Sequence, residues 1–331
     1  MKFKGFLGLA LSATAFASAA YAEPEVLRFA VSVPAQVHYN QKVLIPWAEK
    51  VTADSQGTLV VEMYFAGALG KAGQFVDIVQ SGAADIAMDI TSYYPGRFQQ
   101  SDVAYLPNLI GYDSVKASEA LWAMYDEGAF DEDYAGLKLL AVSTPTAAMM
   151  MTTETPVTAP ADAAGLRIGA GGRIKAAILD EVGAAMINLD AFNMYQPLGR
   201  GVVDGVVTHF TGIAAFRLNE VGKFYTEVPL GGSFTPVFMS QGRFDALPEA
   251  ARNAIEMNSG AAMSAALGEV WREAHAEGQA LATSTGGTII VPEGEAAAAW
   301  EGALNPVVEQ WVSEGEGRQV LVDQLKAHLA D

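Results

Sequence analysis

Apolar and polar residues alternate at the start of the folded part of the chain. Leu27, Phe29, Val31 and Val33 fall on one side, Arg28 and Ser32 on the other, the two-residue period of a half-buried strand. The period then lengthens: Val43, Trp47 and Val51 recur every four residues, one face of a helix that ends before Gly57. Leu59, Val61, Met63 and Phe65 alternate again as a strand. A helix from Gln74 to Ser81 and an apolar strand from Ala84 to Ile90 follow, then a helix from Lys116 to Glu127 and a strand from Leu137 to Ser143. Thr153 to Gly165 carries Pro156 and Pro160 and reads as a connection. Beyond it come a short strand from Leu166 to Gly169, a helix from Arg173 to Val182, and a turn running into a buried strand from Gly201 to Thr208. Pro248 to about Thr285 reads as one helix, ~50 Å long at 1.5 Å per residue. That exceeds one small domain, so the helix is expected to run across two. Ile289 to Val291 is a strand, and the remainder to Leu329 is helical. Strands alternating with helices imply α/β domains with largely parallel pairing.

Size and charge narrow the function. The 331 residues, 51% hydrophobic, are enough for two domains or one large one. A net charge of −18 opposes nucleic-acid binding, although a few buried Arg residues still suffice to hold a small anion in a cleft. With no Cys, disulfides, thiol catalysis and Cys-based metal sites are excluded, and the four His residues have no paired metal spacing. At the N-terminus Lys2 and Lys4 precede an apolar run from Phe6 to Ala20 and a small-x-small site, Ala20-Tyr21-Ala22. Residues 1–22 are therefore expected to be a secretory signal, with Glu23 the mature start and the periplasm the destination.

Catalytic motifs fail one by one. Ser233 in Gly231-Gly232-Ser233-Phe234-Thr235 lacks the second flanking Gly of a nucleophile elbow. Gly70-Lys71 has no P-loop spacing. Gly169-Ala170-Gly171-Gly172 lacks the third spaced Gly of a dinucleotide loop, but a glycine turn opening a helix still favours a carboxylate. Asp131 and Asp133 read as a solvated acidic turn, and no acid/base constellation stands out.

Five stretches in order resemble one family. They are Leu69-Gly70-Lys71; Gly82-Ala83-Ala84-Asp85-Ile86-Ala87, like "sGaaDma"; Tyr94-Pro95-Gly96-Arg97-Phe98 with Leu106-Pro107, like "yPgrFp…eLP"; Gly165-Leu166-Arg167-Ile168, like "GLKiR"; and Gly201-Val202-Val203-Asp204-Gly205, like "gvvDG". The chain is thereby identified with the extracytoplasmic solute-binding subunits of TRAP (tripartite ATP-independent periplasmic) transporters, the DctP-type family. The resemblance implies an α/β, two-domain periplasmic binding protein fold (class II-like), with a ligand cleft between the domains and a long helix spanning both. The division it suggests is residues 23–145 with 236–275, and 146–235 with 276–331. It implies a non-enzymatic protein that closes on a small organic acid and delivers it to the small and large membrane permease components. No cofactor is implied, and a divalent metal bridging to the ligand is left open.

Within that resemblance Arg167 is the expected carboxylate partner, since a guanidinium grips both oxygens. Met149 falls about where many members carry a second Arg, either as a softer pocket wall or as strand core. Ser32, His38 and Tyr39 follow the first strand and are candidates for the cleft. Of Tyr93 and Tyr94 one is expected to line it and the other to pack, and Arg97 either buttresses that loop or touches ligand. Thr208 and His209 hold positions that would face the cleft, and Phe192 and Phe234 are candidate apolar walls. One carboxylate Arg beside Met and aromatic residues favours a monocarboxylate such as a 2-oxo, hydroxy or aromatic acid. The alternatives are a C4-dicarboxylate or sugar acid, service to an ABC transporter or sensor, and, remotely, a secreted carboxylate-based hydrolase or lyase.

Overall fold

The computed structural model describes residues 23–330. The expected secretory signal, residues 1–22, lies outside the described residues. Among the described residues eleven strands form two mixed sheets. The first takes β1 (Glu25–Val31), β2 (Leu59–Tyr64), β3 (Ile86–Met88) and β4 (Leu137–Ser143). The second takes β5 (Met149–Thr152), β6 (Arg167–Ala170), β7 (Ala185–Asn188), β8 (Gly205–Thr208) and β9 (Phe224–Thr226). β10 (Thr235–Ser240) returns to the first sheet and β11 (Thr288–Ile290) to the second. The orders are β2-β1-β3-β10-β4 and β11-β9-β5-β8-β6-β7.

Pairing is mixed rather than largely parallel. β10 runs antiparallel between β3 and β4, and β5 antiparallel between β8 and β9. Both strands are reached by extended segments that cross from one sheet to the other. Without a helical crossover to turn the chain round, each joins its new sheet in reverse. The two crossing segments also bond to each other: Ala148 N–H donates to Gly231 O at 2.8 Å and Leu230 N–H to Ala148 O at 3.1 Å. They form a double strap between the lobes.

The long helix is shorter than its pattern suggests. Glu249–Asn258 and Ala261–Ser284 are separate helices, broken at Ser259-Gly260. Gly260 takes φ +81°, and its N–H leaves the helix to donate to Leu140 O at 2.7 Å. The Asn258 side chain stops the first segment by donating to Ala254 O at 2.8 Å. The second helix, ~36 Å long, still reaches both lobes, because two glycines let it approach their backbones. A Cβ on Gly268 would sit 2.6 Å from Ser114 O, and one on Gly278 2.1 Å from Phe210 O. The C-terminal stretch is likewise two helices. Gly294–Ser313 packs on Arg173–Glu181, whereas Arg318–Ala330 packs on Ser114–Asp126, the helix covering β4 of the first sheet. No helix among the described residues is long and apolar enough to cross a membrane.

Candidate functional site

Two adjoining cavities, of about 640 and 790 Å³, lie between the sheets. They open beyond the C-terminal ends of β1, β3, β6, β7 and β8, where strands in α/β folds present their loops to ligands. The inner, smaller cavity has largely apolar and aromatic walls. Tyr39 packs on Trp271 with ring centroids 5.1 Å apart, Phe192 on Phe216 at 5.6 Å, and Val37, Met88 and Leu189 also line the cavity.

Among the described residues one Lys and no Arg lines this interior. Lys175 lies two residues into the helix Arg173–Glu181, just after Gly171-Gly172, and lines both cavities. Ile174 and Ile178 on the same helix pack into the core. Lys175 is 8% exposed, and Nζ approaches only a carbonyl, Leu230 O, at 3.4 Å. Burial alone lowers its pKa from 10.5 to about 8, with no carboxylate pulling it back.

Polar side chains share the inner cavity with it. His209 Nδ1 is 2.7 Å from Thr146 O. A carbonyl only accepts, so Nδ1 carries the proton and Nε2 the lone pair. Burial, then the nearby Lys175 charge, push the imidazole down to about 3, so the ring is neutral. Ser92 N–H donates to the Tyr105 hydroxyl at 3.1 Å, and that hydroxyl meets Ser233 Oγ at 3.3 Å. Asp89 is the one acid among the inner lining residues. It accepts from Gly73 N, Ile90 N and the Tyr94 hydroxyl, and burial nevertheless raises its pKa.

The expected residues divide sharply. Ser32, His38, Tyr39, Tyr93, Thr208, His209 and Phe192 all line the inner cavity. His38 sits at its rim, 3.3 Å from Glu277. Tyr93 lines both cavities, while Tyr94 borders only the outer one with its hydroxyl tied to Asp89. Arg97 borders neither; it pairs with Asp77 at 3.3 Å and lies over the Phe98 ring.

Three expectations fall elsewhere. Arg167 stands at the N-terminal end of β6, about 13 Å of strand away from the loop that carries the cleft. Its side chain is 46% exposed and bonds Asp204 at 2.6 Å and Gly201 O at 2.9 Å. Laid letter by letter from Gly165, the "GLKiR" pattern puts its Lys on Arg167 and its Arg on Gly169. There a Cβ would come 2.6 Å from Leu189 Cδ1, so no longer side chain fits without repacking. Met149 is fully buried with Met151, Phe210 and Tyr225 in the core of the second lobe. Phe234 is sealed between Phe130 and Tyr134, with centroids 5.1 and 5.8 Å away.

Lys175, Trp271, Phe216, Tyr105 and Ser233 line the inner cavity without having been singled out for it. For Lys175 a signal existed: the glycine turn suited to a carboxylate opens the helix that carries it, three residues earlier in the chain. For the others the chain pattern holds none, because their helices and loops are far apart in sequence.

The lobes meet at the cleft mouth. Arg173 bonds Asp102 of the first lobe at 2.7 Å and Glu314 at 2.8 Å. Tyr93 and Phe192 stand across from each other at 6.4 Å. Gly172 comes so near Ser92 that a Cβ would lie 3.3 Å from it. Among the described residues no group of three or more His, Asp or Glu could hold a metal ion.

The model of the bacterial extracellular solute-binding protein family 7, DctP, matches residues 29–314. The chain belongs to this family. A solute-binding protein of Albidiferax ferrireducens is 26% identical over 274 residues, covering 77% of each chain. The C4-dicarboxylate-binding periplasmic protein DctP of Rhodobacter capsulatus is 26% identical over 322 residues, covering 94% of each. Among solved structures, a marine metagenome TRAP solute-binding protein specific for aromatic acid ligands, in complex with 3-hydroxybenzoate, is 28% identical. It superimposes with a TM-score of 0.86, over 93% of this chain and 99% of that one.

Proposed function

We propose that this chain is the exported, periplasmic capture subunit of a TRAP transporter and that its ligand is an aromatic monocarboxylate. The observation that carries the reading is Lys175: one buried cation with no counter-ion, in a cavity walled by Tyr39, Trp271, Phe192 and Phe216. A carboxylate placed against Nζ would restore the charge balance that burial has removed, and a ring would fill the aromatic walls. A second carboxylate would have no Lys or Arg in the inner cavity and would share it with Asp89, which disfavours a dicarboxylate. The structural relative specific for aromatic acids supports the same class, whereas the Rhodobacter capsulatus relative is named for C4-dicarboxylates.

The lobes would close on the acid around the straps at Ala148 and Gly231, hand it to the small and large membrane components, and alter no covalent bond. Residues 1–22 would direct export. The test is thermal unfolding of residues 23–331 against a library of mono- and dicarboxylates. A ligand at 100 times its dissociation constant adds about 2.7 kcal/mol, several degrees for a protein of this size. Hits confined to aromatic monocarboxylates support the reading; hits confined to dicarboxylates or sugar acids contradict it.

A further inference from the structure

We infer that His209 is the specificity-determining residue for a hydroxyl on the ligand: its Nε2 accepts from an O–H of the bound acid, so the favoured ligand is a hydroxylated aromatic carboxylate rather than the unsubstituted parent. The inference rests on the proposed carboxylate–Lys175 contact and adds the second point of recognition.

The geometry leaves His209 one role. Its Nδ1–H is committed to Thr146 O at 2.7 Å. That carbonyl is itself held in place, because Thr146 Oγ1 pairs with His275 Nδ1 at 2.7 Å on the long helix. The tautomer is therefore fixed, and Nε2 is a bare acceptor with no protein donor among the described residues. The ring lines the same inner cavity as Lys175. A closing lobe that set a C–H against Nε2 would strand a buried acceptor, while an O–H would satisfy it. Such one-sided loss is what allows a polar site to reject an analogue lacking the group. The two groups are complementary in kind: Lys175 offers only donors and His209 only an acceptor, so a hydroxy acid satisfies both and a plain acid satisfies one.

The experiment is calorimetric titration at pH 7 of residues 23–331 with matched pairs: 3-hydroxybenzoate and 4-hydroxybenzoate against benzoate, and mandelate against phenylacetate. Wild type, His209→Leu and His209→Gln are compared. In wild type at least one hydroxylated acid should bind about tenfold tighter than its parent. His209→Leu should abolish that preference, so that the two members of each pair bind within about twofold of one another. His209→Gln, which keeps a carbonyl acceptor, should restore part of it. Which pair responds distinguishes a ring hydroxyl from one on the side chain. Should His209→Leu fail to fold, the imidazole ¹⁵N resonance of Nε2 in wild type decides: it should move on binding the hydroxylated acid and not its parent. Equal binding within every pair, a preference that survives His209→Leu, or an unmoved resonance would overturn the inference while the Lys175 reading stands. If none of these acids binds, or if binding persists in Lys175→Met, the underlying reading fails and the inference falls with it.

Discussion

A lysine buried without a counter-ion is held at a cost that an arriving anion removes. With its pKa lowered from 10.5 to about 8, Lys175 is protonated in the free protein below about pH 8 and neutral above it. Between those two values the unfolded chain binds more protons than the folded one, so the free protein should gain stability as pH rises from about 8 to 10.5. Binding should do the opposite. Affinity for a carboxylate should be level from pH 6 to about 8, then fall by up to about tenfold per pH unit, since above 8 the lysine must first take up a proton. His209, pushed down to about 3, stays neutral throughout and adds no slope there. Titrations at half-unit pH intervals check this, and an affinity unchanged up to pH 9.5 would contradict it.

Arg167 should be silent in the same assay. Its charge is spent on Asp204 at the far end of the strand, so Arg167→Ala should change the dissociation constant by less than about twofold. The sequence pointed to a cation after the turn at Gly165 and to a carboxylate-friendly glycine turn at Gly171-Gly172. It could not say which of the two nearby cations turned inward. Strand alternation describes which face a residue takes, not which end of the strand the cleft occupies. Tyr39, Thr208 and His209 could be placed by their strands, since Thr208 ends β8, His209 follows it and Tyr39 lies in the segment after β1, and both strands end at the inner cavity. Trp271 and Phe216 were not, since only tertiary packing brings their elements there.

At the scale of elements, the long helix works as a splint through its two glycines. Gly278→Leu would drive a side chain into the Phe210 backbone and should lower stability by about 1–3 kcal/mol in chemical denaturation. Gly302→Ala, on the exposed side of Gly294–Ser313 with open space around it, should instead raise stability by about 0.5–1 kcal/mol. Equal effects at the two positions would remove the splint argument. Helices and buried strands announced themselves through their periods, and Leu137–Ser143 matches its expected span to the residue. The break at Gly260 did not, because an Ala-rich pattern continues unbroken on both sides and the interruption depends on a bond to Leu140 in another strand. The reversed β5 and β10 were equally hidden. Direction in a sheet is set by how the chain arrives, and apolar runs look the same either way.

Across the whole molecule, Arg173, Asp102 and Glu314 tie the two lobes at the cleft mouth. Burial raises the pKa of Asp102 although Arg173 pulls it down, so its carboxylate is held between desolvation and its partner. Arg173 is 41% exposed and solvent screens the pair, so its contribution is modest. Asp102→Asn should weaken ligand binding by up to about fivefold through a shift toward the open form, without altering the preference among acids. Small-angle scattering should show the ligand-free variant more expanded than wild type and the two alike once saturated. Identical profiles without ligand would mean that the contact does not govern closure.

Lys175 and Arg167 stand at opposite ends of the β6 segment, and only one of them can hold the ligand carboxylate. Calorimetric titration at pH 7 of wild type, Lys175→Met and Arg167→Ala with the tightest-binding aromatic acid measures this directly. A charged hydrogen bond of about 1.5–3 kcal/mol predicts a loss of roughly 10- to 150-fold in Lys175→Met and almost none in Arg167→Ala. Full affinity in Lys175→Met with a collapse in Arg167→Ala would place the carboxylate at the other end of β6 and contradict the site described above.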